Sequence, residues 1–320
     1  MNEKSAAIND ANLADPLAVK ATAVHKIWFE RDGDYHRTKV APLRHTFHTH
    51  PLLQLPKLQQ LAESLLASGQ CKFLGAPATV ASPFDLQSQS PKGQSLADVF
   101  ENIEQPGSWI ALYNVETNAE YQRFLWEAFN TVRPLLDTQD PGTFSVGGFI
   151  FISAPPSVTP FHIDRENNLW LQIRGRKRVN VWNPDDREAV SEEAVERFIV
   201  HGDLSAVQYT QHVRARSFDA ETAPGEGVYI PSTSAHMTET DTHWVQAGDG
   251  YVVSIGIVFY TQATRRAANI YALNQFLRQR GLKPTSPGQR QWLDTIKYPL
   301  AWLYVRARQF LRGYQLRAGM

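Results

Sequence analysis

The stretch from residue 144 to residue 260 constrains the fold more than any other part of this chain. It contains short runs of β-branched and aromatic residues, which are separated by proline, glycine and asparagine. The runs are FSVGGFIFIS, TPFHID, NLWLQIRG, KRVNVW, GVYIPS and YVVSIGIVFY. Short strands with turn signals between them are typical of a closed or double-sheet all-β core. The pattern therefore predicts that residues 144–260 form a mainly β core.

The chain before this core is predicted to be helical or mixed over residues 23–143. Residues 50–69 carry leucines at helical spacing, and residues 118–136 form a second helical pattern with an asparagine at the capping position. Between them, residues 77–95 are rich in Pro, Ser and Gln, which indicates a long surface loop. Residues 1–22 lack periodicity and are expected to be a mobile lead-in.

Helical patterns also interrupt and follow the core. Residues 190–199 predict a helix inserted among the strands, and residues 261–320 predict two further helices. Pro299 lies within the second of these, where it is expected to kink or divide the helix. One β core with helical flanks accounts for the length better than two independent domains do.

Composition excludes several classes of protein. The 320 residues are 42% hydrophobic, and 32 Lys+Arg balance 32 Asp+Glu, as in a soluble globular chain. The lone cysteine, Cys71, excludes an internal disulfide and a cysteine zinc cluster, and is expected to be an inert core residue. The N-terminus lacks the pattern of a secretory signal, and no stretch approaches the ~20 apolar residues of a membrane span. A cytoplasmic location is the expectation.

Two residues of the core, His162 and Asp164, have the spacing of a metal-binding pair. Residues i and i+2 of a strand point to the same face, which places the imidazole and the carboxylate side by side. A second histidine would complete a set of two imidazoles and one carboxylate, which is diagnostic of non-haem Fe(II) oxygenases. His236, which follows a strand closed by Pro231, is the predicted third ligand. These three residues are the predicted catalytic metal site.

Two other histidine clusters are weaker candidates. His201 and Asp203 repeat the H-x-D spacing, but they follow a helix and flank a glycine, which favours a surface turn. His45, His48 and His50 precede a helix and have no accompanying carboxylate, which favours a locally hydrogen-bonded loop.

Lys177 is predicted to bind the anionic end of a co-substrate. Turns before and after residues 168–173 place it two strands from the metal pair, about 10 Å away at a strand spacing of ~4.8 Å. A 2-oxoglutarate that chelates iron could reach that far with its distal carboxylate. An inward lysine is costly in an apolar barrel unless an anion pairs with it. Thr159 could add a hydroxyl to the same carboxylate. The alternative is that Lys177 is a surface residue of the basic turn RGRKR.

These motifs resemble a known family. TPFHIDRENNLWLQIRGRKRVNVW at 159–182, followed by GEGVYIPSTSAH at 225–236, is similar to the cupin-like JmjC group of Fe(II)/2-oxoglutarate oxygenases. Within that group it most resembles the hypoxia-inducible factor asparaginyl hydroxylase, over roughly residues 145–260. The shared pattern is T-P-x-H-x-D followed by N-x-x-x-Q-I-[KR]-G-x-K-R.

The resemblance implies a double-stranded β-helix, or jelly roll, with Fe(II) on the three predicted ligands. It implies that four residues contact 2-oxoglutarate, namely Thr159, Asn168, Lys177 and Tyr113. Such an enzyme consumes dioxygen, releases succinate and carbon dioxide, and hydroxylates a protein side chain, an amino acid or a small metabolite. The alternative is a catalytically silent ligand-binding or transcription-regulatory protein of the same fold.

Two departures from the family pattern concern the substrate pocket. The family usually has a tryptophan two residues before its distal histidine, where this chain has Ser234. It often has an asparagine on the last core strand, which VSIGIVFY lacks. The identity of the substrate therefore does not carry over.

The neutral net charge conceals a strong asymmetry. Residues 261–320 contain eleven Lys+Arg and one acid, Asp294, which gives +10 and leaves −10 for residues 1–260. The basic segment also carries an apolar helical face. It is expected to pack on the acidic core or to pair with a second copy in a homodimer, and the alternative is contact with nucleic acid or an anionic membrane surface.

Overall fold

The computed structural model describes residues 25–31, 33–74, 95–241 and 250–312. Their strands are β1 Ile27–Phe29, β2 Ala41–His45, β3 Cys71–Leu74, β4 Trp109–Leu112, β5 Phe144–Ser153, β6 Ser157–His162, β7 Asn167–Arg174, β8 Lys177–Val181, β9 Phe218–Thr222, β10 Glu226–Ile230, β11 His236–Thr240 and β12 Val252–Tyr260. Their helices are α1 Leu55–Leu66, α2 Leu96–Glu101, α3 Ala119–Asn130, α4 Arg133–Leu136, α5 Glu192–His201, α6 Gln262–Arg278 and α7 Gln291–Arg312.

The strands form two antiparallel sheets that pack face to face. The larger sheet has eight strands in the order β1-β2-β10-β7-β12-β5-β4-β3, and the smaller has four in the order β6-β11-β8-β9. This double-sheet arrangement is a jelly roll, which confirms the predicted mainly β fold with helical flanks. The larger sheet also contains β1 to β4, which precede residue 144 and were not anticipated as strands.

Each sheet has an outer face that helices cover. On the larger sheet, Leu169, Leu171 and Ile173 of β7 belong to the apolar core that includes residues of α1 and α3. On the smaller sheet, Trp182 and Met237 pack with residues of α5 and α6 in a second cluster. The inner faces of the two sheets therefore enclose a space that the helices do not enter.

The helices follow the sequence patterns with local differences. The Asn118 side chain caps α3, as predicted, by accepting hydrogen bonds from the amides of Glu120 and Tyr121. α7 runs through Pro299 without division, contrary to one of the two expectations for that residue. Pro299 and Thr295, four positions earlier, are both exposed, so water can solvate the carbonyl that the proline leaves free.

Two expectations concern segments that lie wholly or mostly outside the described residues. The predicted loop at 77–95 lies outside the described residues except for Ser95, which caps α2. The predicted lead-in at 1–22 also lies outside them.

None of the described helices, of which α7 is the longest at 22 residues, carries the apolar run that a bilayer crossing requires. Cys71 is buried, and burial raises the pKa of its thiol to about 12, as expected of an inert residue.

Candidate metal centre

The smaller sheet brings the three predicted metal ligands together. His162 ends β6, Asp164 follows it, and His236 begins β11 directly opposite His162 in the antiparallel ladder. The Nε2 atoms of His162 and His236 lie 3.9 and 3.5 Å from the two carboxylate oxygens of Asp164. One ligand atom from each residue lies within 4.8 Å of the other two. This spacing allows one metal ion to contact all three side chains.

A register shift in this ladder aims the side chains inward. His236 pairs with His162, but Thr238 pairs with Thr159, so β6 has one extra residue between the two pairs. Such a bulge lets residues three apart in sequence face the same side. Thr159 and His162 consequently both point between the sheets.

Backbone carbonyls orient both imidazoles. The Nδ1 atoms of His162 and His236 lie 2.7 and 3.1 Å from the carbonyl oxygens of Pro160 and Ser234. A protonated Nδ1 that donates to a carbonyl leaves the Nε2 lone pair available to a metal. Burial, and then the neighbouring imidazole, lower the pKa of His162 to about 4. The His162 imidazole is therefore neutral at neutral pH, as a metal ligand must be.

Lys177 lies two strands from His162, as predicted, because β11 separates β8 from β6. Val179 and Val181, on the same face of β8, pack against Trp170 and Val228 of the larger sheet, so this face points inward. Lys177 is only 3% exposed, and its Nζ lies 3.5 Å from Ser254 Oγ. No carboxylate of the described chain forms an ion pair with it. Burial lowers the pKa of Lys177 to about 8.

The other predicted 2-oxoglutarate contacts also line the inner space. Asn168 of β7 is 1% exposed, and neither atom of its amide has a hydrogen-bond partner in the described structure. Tyr113 follows β4, and its ring meets that of Phe151 edge to face. Burial, and then the charge of Asp164, raise the pKa of Tyr113. The structure thus places Thr159, Asn168, Lys177 and Tyr113 around one interior that contains the three metal-ligand candidates.

Sequence reasoning missed two contributions of β12 to this interior. Ser254 Oγ is the polar atom near the Lys177 ammonium in the described structure. It lies on the strand where the resembled family often has an asparagine. Gly256 keeps the space open, because a Cβ there would lie 2.4 Å from the Phe149 ring and 2.9 Å from Asn168 Oδ1. The alternation of small Ser254 and Gly256 with large apolar residues was the signal available in the sequence.

The residues after Asp164 have opposite environments. Arg165 turns outward, where it donates to the Phe198 carbonyl at 2.6 Å and lies 4.4 Å from the centre of the Phe198 ring. Glu166 instead accepts a 2.6 Å hydrogen bond from Tyr260 Oη at the end of β12. Of these two contacts, only that of Glu166 is with a residue of the core strands.

The competing histidine clusters are explained without a metal. Gly202 ends α5 with a φ of 76°, and Asp203 accepts a hydrogen bond from the Ser205 amide, which confirms the surface turn. His45 Nε2 lies 3.0 Å from the Gln172 carbonyl, and His50 Nδ1 accepts from the Leu52 amide. Over the part of the chain that the structure describes, the His162, Asp164 and His236 set is the one found with metal-ligand spacing.

Residues 81–264, more than half of the chain, match the family described as the cupin-like domain. This chain belongs to the cupin-like domain family. The family assignment agrees with the two-sheet jelly roll and with a site inside it. No curated protein matches the sequence.

Solved structures offer more distant likenesses. A crystal structure of Escherichia coli YcfD is 13% identical with a TM-score of 0.44, over 87% of this chain and 66% of that one. YcfD described as a ribosomal oxygenase in complex with cobalt and 2-oxoglutarate is 14% identical with a TM-score of 0.44, over 86% and 64%. The cupin-like chain therefore spans about two thirds of the length of these structures. At these identities and TM-scores, the likeness does not decide an activity or a substrate.

Proposed function

We propose that this cupin-like protein is an Fe(II)- and 2-oxoglutarate-dependent oxygenase that hydroxylates a protein side chain, an amino acid or a small metabolite. The observation that carries the proposal is Lys177. Its buried ammonium has no anionic partner in the described structure and shares an interior with two histidines and a carboxylate. An unpaired buried charge is costly, so the presence of the buried Lys177 ammonium supports the binding of an anion beside it.

The donor set fits Fe(II). Two imidazole nitrogens and one carboxylate oxygen on one side of an ion leave its other positions for a co-substrate and dioxygen. When bound, Fe(II) and 2-oxoglutarate supply the oxidant for C–H hydroxylation, as dioxygen is consumed and succinate and carbon dioxide are released. The protein's own part is to hold these reagents in place and to keep water away.

The inner face provides the groups that 2-oxoglutarate requires. Lys177 pairs with the distal carboxylate, and the hydroxyls of Thr159 and Ser254 donate hydrogen bonds near it. Asn168 and Tyr113 complete the polar lining, with the orphaned Asn168 amide available to a bound ligand. Apolar side chains on the same faces, including Val179 and Val181, limit the access of water.

The motif T-P-x-H-x-D supports membership of the JmjC type and a resemblance to the hypoxia-inducible factor asparaginyl hydroxylase. Ser234 is fully buried, and its hydroxyl has no hydrogen-bond partner in the described structure. A serine leaves more room than the tryptophan that the resembled family has there. The substrate pocket of this protein is therefore expected to differ in shape.

Anaerobic titration with Fe(II) and 2-oxoglutarate tests the proposal. We expect the visible metal-to-ligand charge-transfer band of an iron-bound keto acid, with a much weaker affinity for 2-oxoglutarate in Lys177→Ala. Lys283→Ala removes an exposed lysine and is the matched control. The absence of a band in the wild type, or an equal affinity in Lys177→Ala, would reject the co-substrate assignment.

We also propose that α7 mediates a homodimer. Ala301 and Val305 are buried on one side of α7, whereas the opposite side presents large apolar residues to solvent. Their exposures are 62% for Trp292, 60% for Ile296, 61% for Leu300, 60% for Leu303 and 90% for Phe310. An apolar stripe of this length is unusual on a monomer surface.

Antiparallel pairing suits this stripe. About a two-fold axis at residue 301, Trp292 would face Phe310 of the second copy, so the aromatic residues at the two ends of the stripe would cover each other. Parallel pairing would bring the two Arg306 side chains together. Because an antiparallel copy would cover both ends of the stripe with apolar side chains, we favour a second copy over an anionic surface.

The mass in solution tests the dimer. We expect twice the chain mass of 36.1 kDa for the wild type and a monomer for Leu303→Glu. Leu282→Glu alters an equally exposed leucine outside the stripe and should remain dimeric. A disulfide that forms only when Trp292→Cys and Phe310→Cys chains are mixed would support the antiparallel arrangement. A monomeric wild type that cosediments with anionic vesicles would contradict the dimer.

A further inference from the structure

The turn that joins β10 to β11, residues 231–235, has a strained backbone. Thr233 has a φ of 65°, in the left-handed region that a β-branched residue rarely adopts. The Ser234 amide donates to the Pro231 carbonyl at 3.0 Å and closes the turn. Backbone strain of this kind persists only where surrounding contacts impose it, and it is concentrated at functional sites. The position of this turn, directly before His236, therefore points to a role in the metal site.

Three hydrogen bonds join this turn to the segment that carries Asp164. The Thr233 amide donates to the Asp164 carbonyl at 2.8 Å. Ser232 Oγ donates to the Arg165 carbonyl at 2.7 Å, and the Ser232 amide donates to Asn167 Oδ1 at 3.0 Å. Ser232 therefore makes two of the three bonds, one through its side chain and one through its backbone.

Asn167, the acceptor of the Ser232 amide, is fixed in the core. It is only 2% exposed and lies at the start of β7. Tyr229 of β10 is fully buried, and its hydroxyl is shared between Asn167 Oδ1 at 3.3 Å and the Arg37 carbonyl at 3.0 Å. The turn is thus held against a part of the protein that has little freedom to move.

The strands alone do not hold Asp164 beside His236. β6 ends at His162, and the ladder between β6 and β11 ends where His162 pairs with His236. Asp164 lies two residues beyond this last pair, yet its carboxylate is 3.5 Å from His236 Nε2. The hydrogen bonds from Thr233 and Ser232 span this gap. They therefore keep two of the three metal-ligand candidates within reach of one ion.

We propose that Ser232 is a positioning residue of the metal centre. Its hydroxyl holds the Arg165 carbonyl and thereby keeps the Asp164 carboxylate in reach of the ion that the two histidines bind. The inference rests on the proposed function, in which these side chains bind Fe(II), and it assigns a role to a residue outside the ligand set. Hydrogen-bond partners that orient metal ligands typically contribute about 10- to 100-fold to metal affinity.

Equilibrium titration of the full-length chain with Co(II), a spectroscopic substitute for Fe(II), tests the proposal. Ser232→Ala removes the hydroxyl, and we expect the affinity for Co(II) to fall about tenfold. The visible absorption of bound Co(II) should also change, because the carboxylate moves. Ser232→Thr keeps a hydroxyl and should bind Co(II) nearly as tightly as the wild type. Ser232→Cys keeps the shape with a weaker donor, so an intermediate loss is expected even if the alanine variant does not fold.

Ser191→Ala is the matched control. Ser191 Oγ accepts a hydrogen bond from the Ala194 amide at 3.2 Å and caps α5, which packs outside the smaller sheet. This change also removes one serine hydroxyl and one hydrogen bond. We expect it to lower the resistance to urea without changing the affinity or the spectrum of bound Co(II).

The two levels of the account fail by different results. Wild-type Co(II) affinity in Ser232→Ala and Ser232→Cys, or an equal loss in Ser232→Ala and Ser191→Ala, would overturn the role of Ser232 and leave the proposed metal centre in place. A wild type that binds no Co(II) would reject the proposed metal centre itself, and this inference with it.

Discussion

The two faces of the same strands of the larger sheet have opposite chemistry. On β12, Ile255 and Ile257 face the helices and are fully buried among apolar side chains, whereas Ser254 and Gly256 face the inner space. On β7, Leu169 and Leu171 alternate in the same way with the orphaned Asn168. The outer face is therefore built for stability. The inner face has buried polar groups that reduce stability, which supports the proposal that they bind ligands.

The strongest test of this contrast removes one of the three candidate metal-binding side chains from the inner site. Asp164→Ala leaves two imidazoles without their carboxylate, and we expect the affinity for Fe(II) or Co(II) to fall on the order of 1,000-fold. Equilibrium titration with the metal measures the loss. Asp203→Ala changes the other H-x-D aspartate and should bind metal like the wild type, so an equal loss in both variants would contradict the assignment.

Replacing the buried lysine should separate binding from stability. Lys177→Met removes the ammonium that is proposed to pair with 2-oxoglutarate, and we expect the affinity for 2-oxoglutarate to fall about 100-fold. The same change removes an unpaired buried charge, so the ligand-free protein should gain about 1–3 kcal/mol in its free energy of unfolding. Calorimetric titration and urea denaturation measure the two effects. A loss of both affinity and stability would indicate that Lys177 supports the fold instead.

A substitution on the outer face should have the reverse effect. Leu171→Ala leaves a cavity between β7 and the helices, and we expect it to lower the free energy of unfolding by about 2–3 kcal/mol. Because Leu171 does not face the inner space, the affinity of the folded protein for 2-oxoglutarate should stay unchanged. Denaturation and ligand titration on the same sample test this, and a large loss of affinity would show that the two faces are not independent.

The smallest expected effect is a pH dependence of 2-oxoglutarate binding. In the proposed function, Lys177 would bind the anion only when protonated, and burial lowers its pKa to about 8 in the ligand-free protein. The affinity should therefore be nearly constant below that pH and fall about tenfold between pH 7 and pH 9. Lys177→Arg keeps its charge across this range and should remove the dependence, whereas an unchanged pH profile in that variant would assign it to another group.

The sequence predicted the central part of the fold, and named residues that the structure brings together in the candidate site, for a physical reason. Strand alternation and turn residues are local, so they locate β5 to β8, β10 and β12 and place His162 beside Asp164, whereas β9 and β11 were not predicted. The position of Lys177, two strands from His162, also followed from counting the turns in the sequence. These predictions needed only near neighbours in the chain.

Other features depend on contacts between distant parts of the chain. β1 and β3 are only three and four residues long, too short to show a period, and they become strands because β2 and β4 pair with them. The hydrogen bond between Glu166 and Tyr260 joins residues 94 apart. Local patterns in the sequence do not encode a contact between residues so far apart.

Succinate formation tests the central claim most directly. The protein is loaded anaerobically with Fe(II) and 2-oxoglutarate, exposed to dioxygen, and assayed for succinate beside a His236→Ala control. The account predicts that succinate and carbon dioxide form in equal amounts in the wild type and are lost in the variant. A wild type that binds both reagents but forms no more succinate than the His236→Ala control would contradict the account and favour a silent ligand-binding protein.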